Sequence, residues 1–180
     1  MKNVLEFIVN LIDKLFDTDE RVILGSGLGL GLIPFAPGTF GTLIGVVIHW
    51  VTIYSIQVKY QYYILFYLFI LTCIISLPLS EYCCKYWESN DPKQFIIDEI
   101  AGYLLTVVII GNSLNNLGVP LWKQIVTAFI LFRFCDIVKL PGAKWIDKNL
   151  HDKYGFGILL DDLIAAIYAG GVIRLLLMFR

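Results

Sequence analysis

Two apolar runs, separated by little more than one lysine, constrain the fold of this chain more than any other feature. Residues 40–58 and 61–79 flank Lys59, and each approaches the roughly 20 residues that a helix needs to cross the hydrocarbon core of a membrane. They predict a membrane-embedded helical hairpin. The composition agrees, because a hydrophobic content of 58% and a mean hydropathy of +0.74 lie well above the ordinary range of soluble proteins.

Further apolar segments extend this prediction to an all-α, polytopic membrane protein with about four or five apolar helices. Helices are expected over residues 94–111, 121–134 and 158–179, and the first two are short for a full crossing, so shallow or tilted spans are possible. Residues 1–20 have amphipathic spacing that predicts a surface or interfacial helix. The length is that of a single domain, residues 1–180.

Charge and motifs exclude two classes of partner. A formal net charge of -1 gives no basic footprint of the kind that nucleic-acid binding requires. Neither a GxGxxG fingerprint nor a Walker GK pair is present, which argues against nucleotide binding. The cysteines form no CxxC pair and suggest no disulfides; they are Cys73, Cys83, Cys84 and Cys135.

Five acidic residues lie within or beside apolar sequence: Asp98, Glu99, Asp136, Asp161 and Asp162. A charged side chain within a membrane-spanning helix costs about 2.5 to 3.5 kcal/mol, so such a group usually pairs, faces a cavity or binds a cation. The acids therefore suggest a metal site. The alternatives are acids that favour a helix dipole at its N-terminus, and a cation path in a membrane protein that is not an enzyme.

The distribution of Lys and Arg predicts the orientation. The first, third and fifth stretches outside the predicted spans carry most of these residues: Lys2, Lys14, Arg21, Lys85, Lys93, Arg133, Lys139, Lys144, Lys148 and Lys153. The second and fourth stretches carry only Lys59 and Lys123. The positive-inside rule places the richer stretches in the cytoplasm, and with them all five acids. One site at the cytoplasmic face could contain them.

A glycine-rich stretch, from Gly25 to Thr42, precedes the first span. Its backbone N–H groups and the hydroxyls of Thr39 and Thr42 lie just before a helix, which suits a phosphate. Glycine pairs at GxxxG spacing equally favour close helix packing, and both roles can hold together.

Two later segments combine charge with helical spacing. Arg133, Asp136 and Lys139 share one helical face if the helix continues through them, either as a phosphate and metal site or as a salt-bridge ladder. Asp161-Asp162 precede small residues at small-xxx-small spacing, which permits close approach of another helix. His49 and His151 lack the neighbours of a zinc motif or catalytic triad, and a structural role is expected for both.

Four segments, in this order, resemble the phosphatidylglycerophosphatase A family of bacterial membrane enzymes. They are Gly25-Ser-Gly-Leu-Gly with Pro37-Gly-Thr-Phe-Gly-Thr42, Asp98-Glu-Ile-Ala-Gly102, Phe132-Arg-Phe-Cys-Asp-Ile-Val-Lys139, and Tyr154-Gly-Phe-Gly-Ile-Leu-Leu-Asp-Asp162. The resemblance covers a catalytic core of residues 25–170. It implies Mg²⁺-dependent hydrolysis of phosphatidylglycerophosphate to phosphatidylglycerol in phospholipid biosynthesis, at the cytoplasmic face of the bacterial inner membrane.

The resemblance, together with the residue chemistry, predicts the site. Mg²⁺ is expected on the five acids named above, not all of them in direct contact with it, because waters and a phosphate oxygen also need positions. Arg133, Lys139, Thr39 and Thr42 are expected to bind the phosphate. Glu99 or Asp162 is the expected general base, with direct attack by a carboxylate as the alternative. The partners are the lipid substrate and the bilayer, and no oligomeric state is predicted.

Overall fold

The computed structural model describes residues 18–111, 113–139 and 156–179. Most of the predicted helix 1–20 lies outside the described residues, as do His151 and Tyr154. Within the described part of the chain the secondary structure is helical and contains no strand, which confirms the all-α prediction.

Six helices of eight or more residues form the described structure. They are α1 Thr18–Gly25, α2 Pro37–Ser55, α3 Val58–Tyr86, α4 Ile97–Ile110, α5 Leu121–Val138 and α6 Phe156–Met178. A 3₁₀ turn, Leu30–Leu32, and a one-turn helix, Ser113–Asn116, lie in the connections. Within the described ranges, α2, α3 and α6 are long and apolar enough to cross a membrane.

The short helix α4 forms the centre of the bundle. Its 14 residues span about 21 Å, well short of the roughly 30 Å hydrocarbon core. It packs against α2, α3, α5 and α6, and Tyr103, Leu104 and Thr106 are fully buried. Because protein rather than lipid surrounds it, α4 does not need the length of a complete span.

Several helix boundaries differ from the sequence prediction by three residues or more. Helix α2 begins at Pro37, where proline suits the first helical position. Helix α3 continues past the predicted residue 79 to Tyr86, and Lys85 Nζ forms an ion pair with Glu81 Oε1 at 2.8 Å on this extension. Helix α5 reaches Val138, so Arg133 and Asp136 are both helical.

The first half of the glycine-rich stretch is a packing surface. The Gly25 carbonyl accepts a hydrogen bond from Ile96 N–H at 3.1 Å. A side chain at Gly27, whose φ is +57°, would approach Ile96 and Ile44 within 3 Å, and one at Gly31 would overlap the Gln94 carbonyl. These glycines therefore allow the chain to pack closely against the segment that leads into α4, as the packing interpretation predicts.

Small residues also bring α6 against α4. Ala165, Ala166, Ala169 and Gly170 are buried along α6. A Cβ atom at Gly170 would lie 2.7 Å from Ile109 Cβ, which leaves no room for a side chain. The small-residue spacing in the sequence thus corresponds to a close helix contact, and this contact fixes the N-terminal part of α6 beside that of α4.

Helices α2 to α6 alternate in direction, so the bundle has two chemically different ends. The N-terminal turns of α2, α4 and α6 meet the C-terminal turn of α5 at one end, which carries the predicted acids. The opposite end carries exposed aromatic side chains, namely Trp50, Tyr54, Tyr60, Tyr62, Tyr63 and Trp122. Aromatic side chains of this kind are enriched where a membrane meets water.

Candidate metal and phosphate site

Three carboxyl groups converge at the acidic end of the bundle. Asp98 and Glu99 lie in the first turn of α4, and Asp162 lies in the second turn of α6. One oxygen from each lies within 4.8 Å of the others. Gly102, one turn beyond Asp98, permits this approach, because a Cβ atom there would lie 3.2 Å from Asp162 Cβ. We call these three residues the carboxylate cluster.

The cluster is buried and rich in negative charge. Asp98 and Asp162 are about 5% exposed, and the Asp98 and Glu99 carboxyl groups are hydrogen-bonded to each other. Burial, followed by repulsion from Glu99, raises the pKa of Asp98 well above its ordinary value, and burial raises the pKa of Glu99 to about 8. Two carboxyl groups can share a hydrogen bond only through a proton, so the cluster retains protons unless a cation replaces them.

Asp136 and Arg133 extend the site from α5. Asp136 lies within hydrogen-bonding reach of the Asp162 carboxyl group. Arg133 Nη1 lies 2.7 Å from Asp136 Oδ2, one turn apart on the same helix. The buried Arg133 Nε has no hydrogen-bond partner, so the guanidinium retains donor capacity for another anion.

The start of α2 closes the site through glycine. A Cβ atom at Gly38 would overlap Glu99 Oε1 and lie 3.1 Å from Arg133 Nη2. At Gly41 it would lie 2.7 Å from the Ile96 carbonyl oxygen and 3.2 Å from Glu99 Cβ. The backbone of α2 thus lies directly against Glu99 and Arg133. The sequence predicted that Gly38 belongs to a glycine-rich stretch suited to binding a phosphate. It did not predict that Gly38 packs directly against these side chains.

Asp161 and Lys139 form a separate pair beside the cluster. Lys139 Nζ lies 2.8 Å from Asp161 Oδ2. Lys139 is the first residue after α5 and has a φ of +46°, which turns the chain away from the helix axis. The predicted face shared by Arg133, Asp136 and Lys139 is therefore divided, with Arg133 against Asp136 and Lys139 against Asp161.

The two predicted phosphate-binding threonines occupy different environments. Thr39 is partly exposed in the first turn of α2, and its N–H donates to the Ala36 carbonyl at 3.0 Å. Thr42 is fully buried, and its hydroxyl donates to the Gly38 carbonyl at 3.0 Å. Thr42 therefore supports the helix start, and its hydroxyl hydrogen is already used within α2.

His49 has the structural environment that its sequence context indicates. Its side chain is 4% exposed, and Nδ1 lies 3.1 Å from the Tyr103 hydroxyl oxygen. It lies in the C-terminal half of α2, at the end of the bundle opposite the carboxylate cluster. His49 therefore takes no part in that cluster.

The carboxylate cluster fits a hard divalent cation. All its ligand atoms are carboxylate oxygens, the type that Mg²⁺ prefers. Three of them are buried and without a hydrogen-bond partner: Asp98 Oδ1, Glu99 Oε2 and Asp162 Oδ2. Buried acceptors in this state are costly, and a cation would satisfy all three together.

Comparison with known proteins identifies the family. Residues 23–177 match the model of the phosphatidylglycerophosphatase A family. A Haemophilus influenzae protein named phosphatidylglycerophosphatase A is 34% identical over 151 residues, which cover 82% of each chain. An Escherichia coli protein of the same name is 27% identical, covering 84% of this chain and 80% of the relative.

A third relative has a different name. A Bacteroides thetaiotaomicron protein named as a candidate phosphatidylinositol-3-phosphatase is 31% identical, covering 82% of this chain and 87% of the relative. No solved structure matches the chain. Because the family match spans most of the sequence and includes every segment that carries the carboxylate cluster, the chain belongs to the phosphatidylglycerophosphatase A family of phosphoric monoester hydrolases, as its motifs predicted.

Proposed function

We propose that this protein is a Mg²⁺-dependent lipid phosphatase that hydrolyses phosphatidylglycerophosphate to phosphatidylglycerol and phosphate in bacterial phospholipid biosynthesis. The observation that carries the proposal is the carboxylate cluster beside the Arg133 guanidinium, in a chain of this family. The carboxylate cluster would bind a cation, and the neighbouring Arg133 guanidinium offers paired donors. A phosphate monoester would then bridge the cation and the guanidinium.

Asp98, Glu99 and Asp162 would hold the cation, with Asp136 supporting Asp162 from the side. When bound, Mg²⁺ polarises a phosphate oxygen and lowers the pKa of a bound water. The sequence predicted Asp161 as a metal ligand. We assign it no direct contact with the cation, because its carboxylate contacts Lys139. We propose that Asp161 positions Lys139 at the edge of the site.

Arg133 would bind the phosphate. Its guanidinium lies between Asp136 and the Gly38 backbone, so its direction is fixed before a substrate arrives. Planar donor pairs of this kind match the geometry of phosphate oxygens and stabilise charge that develops during phosphoryl transfer. Lys139 and the exposed edge of Thr39 would add positive charge and a donor at the rim.

Glu99 is the acid that we assign as proton acceptor. Its carboxyl group belongs to the cluster and also faces Gly38 and Arg133, so it connects the proposed metal side with the phosphate side. A base in this position can accept the proton of the attacking water at Glu99 Oε1, the oxygen on the Gly38 side, while Oε2 is assigned to the cation. Asp162, the other predicted base, is more buried than Glu99 and lies within hydrogen-bonding reach of Asp136.

The position of the site suits a lipid head group. The carboxylate cluster lies at one end of the apolar spans, where a head group resides while its acyl chains stay in the bilayer. The Lys and Arg distribution supports a cytoplasmic location for the site, in the bacterial inner membrane.

The rival interpretation, a cation path, requires acids at several depths. Among the described residues, the most deeply buried acids are Asp98, Asp161 and Asp162, and these three lie with Glu99 at one end of the bundle. This distribution favours a site over a path, and family membership favours an enzyme.

Phosphate release from pure lipids tests the function. Purified protein in detergent micelles is incubated with phosphatidylglycerophosphate at saturating Mg²⁺, with a chelator, and with the Asp162→Asn variant as a matched control. The proposal is supported if the unaltered protein releases phosphate with Mg²⁺ and if release is lost with the chelator and in Asp162→Asn. Phosphatidylinositol 3-phosphate is assayed in parallel because of the Bacteroides relative, and a higher kcat/KM for that lipid would reassign the substrate. No phosphate release from either lipid would contradict the proposal that the protein is a lipid phosphatase.

A further inference from the structure

An apolar loop beside helix α2 contributes no side chain to the proposed phosphatase site. Glycine and leucine alternate over residues 27–32, and Gly27 and Gly31 are buried against the approach to α4. The exposed side chains between and after these glycines are large and apolar: Leu28 (78%), Leu30 (38%), Leu32 (51%) and Phe35 (80%). Contiguous exposure of this kind marks an interaction surface or a membrane surface. We call residues 26–36 the leucine loop.

The leucine loop lies beside the first turns of α2 rather than beyond its N-terminus. A Cβ atom at Gly27 would lie 2.9 Å from Ile44 Cδ1. Ile44 follows Pro37, where α2 begins, by seven residues and is therefore about 10 Å along the helix axis. Because α2 is long and apolar enough to cross a membrane, this contact places the loop at the depth of the leaflet that borders the carboxylate cluster.

The backbone of the leucine loop meets the requirement that a membrane imposes. Hydrocarbon offers no hydrogen-bond partner, so backbone N–H groups in contact with it must be satisfied within the protein. Seven N–H groups of the loop donate to carbonyls of residues 22–30, namely those of Ser26, Gly27, Leu28, Leu30, Gly31, Leu32 and Ile33. The Ser26 hydroxyl donates to the Ile23 carbonyl at 3.1 Å. The loop therefore needs little hydrogen bonding from water.

The surroundings of the loop favour acyl chains as its partner. Residues 22–58 contain no Asp, Glu, Lys or Arg, so the loop and α2 form one uncharged stretch. Ile44, which contacts the loop, follows Leu43, and Leu43 and Val47 are exposed on α2 at membrane depth. The apolar surface of the loop thus continues the lipid-facing surface of α2. We infer that the leucine loop is embedded in this leaflet, where its leucine and phenylalanine side chains contact acyl chains just below the head groups.

The leucine loop leads directly into the proposed site. Phe35 is followed by Ala36, whose φ of +47° turns the chain, and then by α2. Gly38, in the first turn of α2, packs against Glu99 and Arg133. Contact with acyl chains would therefore hold the phosphate-binding end of α2 at the depth of the head groups. This consequence rests on the proposed function, whereas the membrane contact itself does not.

Spin labels measure the environment of the loop. The four native cysteines of the full chain are replaced, a nitroxide is attached at Leu30→Cys, and the protein is reconstituted in phosphatidylcholine vesicles. The controls are Val47→Cys, exposed on α2, and Lys93→Cys, exposed at the same end of the bundle as the loop. At Leu30→Cys, as at Val47→Cys, we expect the label to collide more often with oxygen, which dissolves in lipid, than with a water-soluble nickel chelate. Lys93→Cys should show the reverse.

Two results of this measurement would overturn the inference. More frequent collision with the nickel chelate at Leu30→Cys would place the leucine loop in water. Infrequent collision with both reagents would show that protein covers the loop, either residues 1–17 or a second copy of the chain. Because phosphate release is not measured, failure of the proposed function would leave this result unaffected.

Substitutions in the native background test the lipid contact without labels. In water, Leu30→Asn would leave stability unchanged or raise it, whereas among acyl chains it places an amide where hydrogen-bond partners are absent. We therefore expect Leu30→Asn to lower the melting midpoint in phosphatidylcholine nanodiscs by about 2 to 4 °C. The matched control, Leu30→Met, remains apolar and similar in size and should leave the midpoint unchanged. An unchanged midpoint in Leu30→Asn, or equal decreases in both variants, would overturn the inference.

Discussion

Two acids that are adjacent in sequence have different surroundings in the structure. Asp162 faces Asp98 and Glu99, whereas Asp161 contacts Lys139. Successive residues of a helix project about 100° apart, so a single carboxylate pair can serve two separate contacts. The pair therefore offers a comparison between a proposed metal ligand and a positioning residue on the same helical turn.

We predict that Asp162→Asn lowers kcat at least about 100-fold, equivalent to about 2.7 kcal/mol of transition-state stabilisation, because it removes a proposed Mg²⁺ ligand. Asp161→Asn should lower kcat/KM by about tenfold or less, mainly through KM, since it removes the ion pair with Lys139 without altering the cluster. Steady-state phosphate release across a Mg²⁺ titration distinguishes them. Equal losses of kcat in the two variants would contradict the separate roles.

The raised pKa values of Asp98 and Glu99 predict how pH affects stability. In the unfolded chain these acids lose their protons near pH 4 to 5, whereas in the folded cluster Glu99 keeps its proton until about pH 8 and burial also raises the pKa of Asp98. Stability without a cation is therefore present at low pH and is lost as pH rises through about 8.

We accordingly expect Mg²⁺ to raise the melting midpoint more at pH 8.5 than at pH 5.5, because at low pH it must displace protons from the cluster. Thermal unfolding in detergent, with and without Mg²⁺, measures this effect. Asp162→Asn should reduce the Mg²⁺ response at pH 8.5. A Mg²⁺ response that is equal at both pH values would argue against binding at these carboxylates.

At the scale of elements, the short central helix α4 depends on glycine contacts with its neighbours. Gly102 admits Phe132 and Asp162, and Gly170 admits Ile109. Both contacts join α4 to elements that carry site residues. The separation of α4 from α6 therefore controls both the stability of the bundle and the geometry of the carboxylate cluster.

Two adjacent glycines test this dependence. Gly170→Ala places a methyl group 2.7 Å from Ile109 Cβ, and we expect it to destabilise the protein by about 1 to 3 kcal/mol and to lower activity. Gly171→Ala meets nothing within 4 Å and should leave activity unchanged while keeping or raising stability, since alanine favours helix more than glycine. Melting midpoints and phosphate release measure both, and a similar loss in Gly171→Ala would contradict the packing argument.

At the scale of the whole molecule, alternation of five helices gathers the site residues at one membrane face. Residues from α2, α4, α5 and α6 meet there, although up to 124 positions separate Gly38 from Asp162 along the chain. The opposite face carries the aromatic belt and few basic residues. The proposed orientation follows from the distribution of the basic residues alone.

Cysteine labelling checks the orientation. In a background in which the four native cysteines are replaced, Lys59→Cys and Lys93→Cys each place a thiol at an exposed position, at opposite ends of the bundle. We expect a membrane-impermeant maleimide to label Lys59→Cys in intact cells and Lys93→Cys only after permeabilisation. The reverse pattern would place the carboxylate cluster outside the cytoplasm.

The sequence by itself determined the class of fold, the family and the acids. Apolar runs of membrane length predict helices because a bilayer offers the backbone no other hydrogen-bond partner, and acids within such runs are conspicuous because their burial is costly. Small-residue spacing also predicted the close contact that α6 makes. Most of the architecture and the composition of the site could be derived in this way.

Only the tertiary structure decided which acids meet, how the glycine stretch is used and where helix ends fall. Sequence spacing fixes neighbours within one helix, but the rotation of α6 against α4 selects Asp162 over Asp161 for the carboxylate cluster. The same packing places Gly38 against Glu99 and Arg133, while Gly25, Gly27 and Gly31 serve the approach to α4. The physical reason is that contacts between helices depend on relative rotation and depth, which local periodicity does not encode.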